Sequence, residues 1–323
     1  MRRFSFSILL VLLLTGMAVY AQTAPTTAVD YNNRGSDRLE ELDYDGAIAD
    51  FTKAIELDPQ LPQSYINRGY VRDAKGDHDG AIADFTKGIE LYPKFAAAYN
   101  VRGVARQRKG DNDGALADYT KAIELNPRYA QAYFNRGYVR NDKYDPDGAI
   151  ADYTKAIELD PQNAKAYYTY YSRGIARQRK GDYDGAIADY TKAIELRPEF
   201  AQAYCSRGEA RYSKDDRDGA IADYTKAIQL NPQYVDAYNN RAYVRDDKGD
   251  HDGAIADLTK VIELDPKDAD AYTNRGLIKL TQRKDGEAQQ DFDAALKIDS
   301  SLKASLEKEV NEIKQARTAK PKP

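Results

Sequence analysis

The turn motif Asp-x-Asp-Gly recurs along the chain, as at Asp43/Asp45, Asp77/Asp79, Asp111/Asp113, Asp182/Asp184 and Asp250/Asp252. Paired carboxylates in a glycine turn are the raw material of a calcium loop. Such a loop also needs a third oxygen ligand and a bidentate glutamate at its twelfth position. Here the residues after the glycine enter an apolar stretch of helical period. The better reading is helix capping, with the second aspartate of each pair as the N-cap. His78 and His251 stand in two of these turns with no second histidine or cysteine nearby, so they read as exposed turn residues and not as a metal site. No nucleophile is spaced with a base, and no phosphate-binding glycine loop or zinc motif occurs. The sequence therefore points to no enzyme and calls for no cofactor or metal. Cys205 is the only cysteine, which excludes an internal disulfide and leaves a tolerated thiol or an intermolecular bridge.

Charged residues form columns. Arginine stands at 34, 68, 102, 136, 173, 207, 241 and 275, and four residues later come Arg38, Arg72, Arg106, Arg140, Arg177, Arg211, Arg245 and Lys279. Aspartate is equally regular at Asp50, Asp84, Asp118, Asp152, Asp189, Asp223, Asp257 and Asp291. Matching columns of opposite sign at fixed offsets imply bidentate pairing between helices that sets their register. The other reading is an anion-binding arginine ladder. The basic runs Arg106-Gln107-Arg108-Lys109 and Arg177-Gln178-Arg179-Lys180 lack interleaved aromatics and read as solvated helix ends.

The elements that hold these columns recur with a period of 34 residues. A glycine or its stand-in falls at Gly35, Gly69, Gly103, Gly137, Gly174, Gly208, Ala242 and Gly276, with a single 37-residue interval before Gly174. Alanine follows twelve residues on, as at Ala47 and Ala115. Four further on comes an aromatic or leucine: Phe51, Phe85, Tyr119, Tyr153, Tyr190, Tyr224, Leu258 and Phe292. Proline closes all but the eighth unit, where Ser300 stands. Each unit reads as two helices: in the third, Tyr99 to Lys109 and Ala115 to Leu125 flank a Gly-Asp-Asn-Asp-Gly turn, and Ala115, Leu116, Tyr119, Ala122 and Ile123 share one face. Proline stops the second helix. One such hairpin cannot bury its apolar stripe alone, so neighbours must stack on a common core.

The period, with Tyr99, Gly103, Ala115, Tyr119, Ala122 and Pro127 in place, resembles the tetratricopeptide repeat over residues 28–301. The resemblance implies an all-α, right-handed superhelical solenoid of eight helix-turn-helix repeats, with first helices lining a concave groove. Arginine before the glycine and arginine or lysine four residues later depart from the leucine and aromatic usual there. Residues 302–317 carry a single stripe, Leu302, Leu306, Val310 and Ile313, and read as a terminal capping helix, with 318–323 as a tail. The three inserted residues fall in Tyr167-Tyr168-Thr169-Tyr170-Tyr171: a first helix longer by nearly a turn, a joint between halves, or an aromatic platform.

The column before the arginines is Asn33, Asn67, Val101, Asn135, Ser172, Ser206, Asn240 and Asn274. In the family this place faces the groove. The ladder is similar to that of the superhelix in O-linked N-acetylglucosamine transferase, where side-chain amides hold an extended peptide's backbone. An amide both donates and accepts, matching a peptide unit; plain exposed polar residues are the other reading. The position after the glycine varies most, running Ser36, Tyr70, Val104, Tyr138, Ile175, Glu209, Tyr243 and Leu277. Apolar and aromatic side chains there would form pockets for peptide side chains. The candidate groove is therefore Asn33, Asn67, Asn135, Asn240, Asn274, Tyr70, Tyr138 and Tyr243. The lysines of carboxylate-clamp adaptors are missing from the matching places, which hold Asn32, Ile66, Asn100, Phe134, Cys205, Asn239 and Thr273.

The N-terminal residues 1–21 read as a secretory signal: Arg2 and Arg3, an apolar core from Ile8 to Leu14, and Val19-Tyr20-Ala21 before the cut. The apolar run is short for a span of about 20 residues, so the reading is cleavage and no integral membrane span, with residues 22–27 as a linker. The expected location is periplasmic or secreted. A formal net charge of −4 argues against a nucleic-acid partner. The expected function is a non-enzymatic scaffold for a protein or peptide partner; the alternative is a structural protein that self-associates through solenoid ends or edges.

Overall fold

A computed structural model describes residues 26–161 and 165–319. The signal at 1–21 and linker residues 22–25 lie outside them. Two compact units divide after Pro93. The first holds α1 (Ala28–Glu40), α2 (Tyr44–Leu57), α3 (Pro62–Ala74) and α4 (His78–Leu91). The second opens with α5 (Ala96–Arg108), α6 (Asn112–Leu125), α7 (Ala130–Asp142) and α8 (Pro146–Leu159). It continues through α9 (Ala166–Arg179), α10 (Tyr183–Leu196), α11 (Ala201–Ser213) and α12 (Arg217–Leu230). It ends with α13 (Val235–Asp247), α14 (His251–Leu264), α15 (Ala269–Thr281), α16 (Asp285–Ile298), a 3-10 turn at Ser300–Leu302 and α17 (Lys303–Ala319). Within each unit, odd helices pair with the even helix that follows, and no strand occurs among the described residues.

The caps correct one expectation. The first aspartate of each turn is the N-cap, and the second lies inside the helix. Asp43 accepts from the backbone N–H of Gly46, and Asp77, Asp111, Asp145, Asp182, Asp216 and Asp250 repeat the bond. The helix starts one residue after that aspartate, so only it reaches the free N–H of the third helical position. The second carboxylate sits in the first turn, where the helix dipole favours it. There it pairs with a lysine of the following repeat, as in Asp113–Lys143, Asp184–Lys214 and Asp218–Lys248. His78 and His251 are half-buried rather than exposed, with Nδ1 2.7 Å from Asp73 Oδ1 and 2.6 Å from Asp246 Oδ1.

Each first helix presents its glycine to the ring on its partner helix. A methyl group on Gly69 would stand 2.7 Å from the Phe85 ring, and on Gly103 2.6 Å from Tyr119, so a side chain there forces the ring away. Repeat seven carries Ala242 in the glycine column and Leu258 in the ring column, the smaller partner making room for the methyl. Between the paired helices the chain turns through a left-handed residue. Gly76, Gly110, Gly181 and Gly249 serve in half the repeats, and Leu42, Tyr144, Asp215 and Arg283 in the rest, with φ of 59 to 66°. The non-glycine residues there carry a cost of about 1–2 kcal/mol each.

The inserted residues do not build a full extra turn. Helix α9 has 14 residues against 13 in α7, and the remainder lies in the connection before it. Its tyrosines join a half-buried aromatic cluster: Tyr171 and Tyr167 lie 4.9 and 5.2 Å from Phe200, and Tyr168 5.9 Å from Phe134. At the C-terminus Leu306, Val310 and Ile313 of α17 pack on Leu280 and Phe292, while Leu302 falls in the 3-10 turn.

Every aspartate of the predicted column is buried between two cations. Asp118 is 3% exposed; Arg102 Nε and Nη2 donate to its two oxygens at 2.9 and 2.7 Å, and Arg106 Nη1 adds a third bond at 2.8 Å. The same triad occurs at Asp50, Asp84, Asp152, Asp189, Asp223 and Asp257, with Lys279 as second cation at Asp291. The capping aspartate lies 3.6 to 3.8 Å from the second arginine. Four charges thus sum to zero. Repeat eight lacks the capping aspartate, and Glu287 stands 3.7 Å from Lys279 instead. A tyrosine three residues before each first arginine stacks on its guanidinium, as Tyr99 on Arg102 at 5.5 Å. The arginine also reaches the previous repeat, as Arg136 Nη1 to Thr120 at 3.2 Å and Arg207 Nη1 to Thr191 at 3.0 Å.

Removing one member of such a triad strands two guanidinium groups. Asp118→Ala is expected to destabilise the chain by about 3 kcal/mol, read as a lower midpoint in chemical denaturation. An unchanged midpoint would show that the triad contributes nothing to stability.

Candidate functional site

Among the residues proposed from the sequence, Tyr70 and Tyr138 are each 44% exposed and Tyr243 is 65% exposed. They stand one position after the small residue of the ring contact, so the backbone aims them away from the core. Tyr70 is braced edge-on by Phe85 at 5.7 Å, and Tyr243 by Tyr212 at 5.6 Å. The Tyr212 hydroxyl donates to Asp247 Oδ2 at 3.4 Å, and its proton is held more tightly than usual, chiefly by the neighbouring Tyr243 hydroxyl.

The asparagine ladder divides. Asn33 and Asn274 are exposed. The other three each spend an N–H on the preceding repeat: Asn67 Nδ2 on Asn32 Oδ1 at 3.2 Å, Asn135 Nδ2 on Asn100 Oδ1 at 3.0 Å, and Asn240 Nδ2 on Glu209 Oε1 at 3.0 Å. Asn67 and Asn135 also accept from Gln63 and Gln131, one helical turn earlier. An amide has two N–H groups and two lone pairs, so each keeps capacity for a ligand while it ties two repeats together.

Two clefts open between successive first helices, and both use the same columns. One, of about 170 Å³, is walled by Tyr243, Asn239 and Asp246 of α13 and by Asn274 and Leu277 of α15, over Leu258 of α14. It brings the predicted Tyr243 and Asn274 together. The other, of about 370 Å³, lies between α9 and α11, with Ile175, Gln178 and Arg179 facing Ser206, Glu209 and Ser213 over Tyr183 and Tyr190 of α10. Ile175, Glu209, Tyr243 and Leu277 are four members of the variable column after the glycine; Ser206 and Asn274 belong to the column before the arginine.

Glu209 and Gln178 were not singled out in the sequence, although Glu209 is the only charged member of its column. Nor were the tyrosines and threonines that bind the arginines, which share the period and could have been found by it. Cys205 is buried behind the larger cleft, its thiol pushed up to about 12 by burial and by nearby Glu209, so a bridge to another chain would require the repeat to open. The basic runs are not simply solvated: Arg106 and Arg177 bind Asp118 and Asp189, and Gln107 and Gln178 accept from the buried Tyr119 and Tyr190 hydroxyls at 3.0 and 2.8 Å. Among the described residues no group of side chains suits a metal ion.

Repeat four lacks the tyrosine–glutamine bond. Asn141 replaces the glutamine, one methylene short, and both Asn141 Oδ1 and the Tyr153 hydroxyl are buried without a partner. Asn141→Gln restores the missing reach and is expected to stabilise the chain by about 1 kcal/mol, seen as a raised melting temperature; a fall would show that the glutamine does not fit.

Family models described as "TPR repeat" match residues 108–142, 170–215, 208–245 and 247–282. Models described as "Tetratricopeptide repeat" match 32–96, 130–163 and 269–302. Among curated proteins none matches the sequence. Among solved structures, the chain is similar to YrrB, titled a TPR protein with an unusual peptide-binding site, at 25% identity, over 58% of this chain and 95% of that one, with a TM-score of 0.52. It also resembles the C-terminal part of a TPR repeat-containing protein from Cytophaga hutchinsonii (21% identity, 75% and 98% covered, TM-score 0.63). A third likeness is to a tetratricopeptide repeat protein from Parabacteroides merdae (18%, 78% and 98%, TM-score 0.55). With matches along most of its length and helix pairs at every one of them, the chain belongs to the tetratricopeptide repeat family.

Proposed function

We propose that this protein-interaction scaffold binds extended peptide segments along the face lined by its first helices. The observation that carries the reading is the shared construction of the two clefts. Each is walled by the variable column after the glycine, while the core columns behind it stay nearly constant. Backbone would be held by Asn67, Asn135, Asn240 and Asn274, and side chains would seat against Tyr70, Tyr138 and Tyr243. The peptide-binding site named for YrrB is in keeping with this use of the fold. None of the matched family models describes an enzyme. Among the described residues no helix is long and apolar enough to cross a membrane.

The chain from Gln22, used as bait, is expected to capture a protein partner that a Tyr70→Ala, Tyr138→Ala, Tyr243→Ala bait retains at least tenfold less well. These side chains are exposed, so circular dichroism should be unchanged. Equal capture by both baits would move the interaction off this face, and concentration-dependent mass without a partner would favour self-association.

We further propose that the protein works outside the cytoplasm, on the pattern of Arg2, Arg3, the apolar core and Ala21. Mass spectrometry of the envelope or secreted fraction should find a mature N-terminus at Gln22; an intact Met1 terminus in the cytoplasmic fraction would remove the reading.

A further inference from the structure

Among the described residues, Glu209 and the core aspartates are carboxylates withdrawn from water in different surroundings. Each core aspartate is held by two cations. Glu209, half-buried in the wall of the larger cleft, has none. It accepts from three neutral donors: Asn240 Nδ2 on Oε1 at 3.0 Å, Gln178 Nε2 on Oε2 at 3.4 Å, and the Cys205 thiol on Oε1 at 3.9 Å. Those donors come from its own helix and from both neighbouring first helices, so the carboxylate is fixed in place. Burial raises its proton affinity, and the Asp236 carboxylate adds negative potential; no positive group offsets them. Arg179, the one cation lining the cleft, is committed elsewhere: Nη1 donates to the Asn141 carbonyl at 2.5 Å, and its guanidinium lies 5.6 Å from the Tyr144 ring.

We propose that this cleft is a subsite for a lysine or arginine side chain of the bound peptide, with Glu209 as its counter-ion. The inference rests on the peptide-binding reading and names the chemistry of one position within it. Ile175 offers an apolar wall for the aliphatic stem, the Tyr183 ring a face for the cation, and the Ser206 hydroxyl an acceptor beside the carboxylate. A carboxylate already removed from water and held by fixed donors gains a full charge partner with little reorganisation. An anionic or apolar side chain in the same cleft would leave that charge unneutralised.

The probes are four synthetic heptapeptides of alanine and serine, differing only in a central lysine, arginine, methionine or glutamate. They are titrated into the isotope-labelled chain from Gln22, with amide shifts followed by NMR. The lysine and arginine peptides are expected to bind at least tenfold tighter than the methionine peptide and to shift the amides of Gln178, Ser206 and Glu209. Glu209→Gln, which keeps the size of the residue and one oxygen to accept from Asn240 while giving up the 3.4 Å bond from Gln178, should erase that preference with little change in melting temperature. Arg179→Met should preserve or sharpen it. Equal binding of the lysine and methionine peptides, or a preference that survives Glu209→Gln, overturns the subsite and leaves the groove standing. Preference for the glutamate peptide overturns it in favour of Arg179. No groove shift with any peptide removes the subsite and counts against the peptide-binding reading as well.

Discussion

A buried aspartate gripped by two cations is the interaction on which the rest of each repeat depends. Taking one carboxylate and two guanidinium groups largely out of water is unfavourable by itself, and a lone pair seldom repays it. Here the cost is contained by completeness. The two oxygens of Asp118 receive three N–H bonds, the capping Asp111 supplies the second negative charge, and a tyrosine ring covers the guanidinium. Repeat eight is instructive because it lost the capping aspartate yet holds Glu287 near Lys279. The fork of an arginine fits a carboxylate in one plane. Each pair of helices therefore locks at one register, which leucine packing in the same place would specify less sharply.

Locking register from the inside leaves the outward columns free to vary. The glycine and ring columns hardly change, and where both do, at Ala242 and Leu258, the change is matched in volume. The position after the glycine takes serine, tyrosine, valine, isoleucine, glutamate or leucine without touching the triad. In a stacked array each repeat meets only its neighbours, so the consequence of a substitution in one cleft stays local. That separation is what a recognition surface needs: its chemistry changes while its geometry holds.

Most of the fold was legible because the period carries it. Glycine, ring, proline and paired charges recur often enough that helix pairs, stacking and the Arg–Asp contact follow from spacing alone. What escaped depends on a fraction of a turn or on side-chain reach. The capping aspartate was misplaced by two residues because the glycine after Asp45 suggested a later helix start than the bond from Gly46 to Asp43 allows. The insertion looked like added helix, yet only one residue joined α9. Asn33 and Asn274 are exposed, but spacing does not reveal that Asn67, Asn135 and Asn240 are half-buried and each grip the preceding repeat. Glu209 stood out of its column by charge, and only its contacts show that no cation accompanies it.

Several departures from the repeat fall together beside the insertion. Phe134, Asn141, the Tyr167–Tyr171 run, Cys205 and Glu209 all lie on α7, α9 and α11, around the insertion. Local structure there carries what a uniform array would not: a buried tyrosine hydroxyl without a partner, an aromatic cluster joining three repeats, and a carboxylate without a counter-ion. The unpartnered hydroxyl and the uncompensated carboxylate are unfavourable for stability, whereas the aromatic cluster contributes to it. Beside the insertion, the Tyr171 hydroxyl of α9 lies 3.5 Å from that of Ser206 on α11, and Ile175 of α9 faces Glu209 of α11 across the larger cleft.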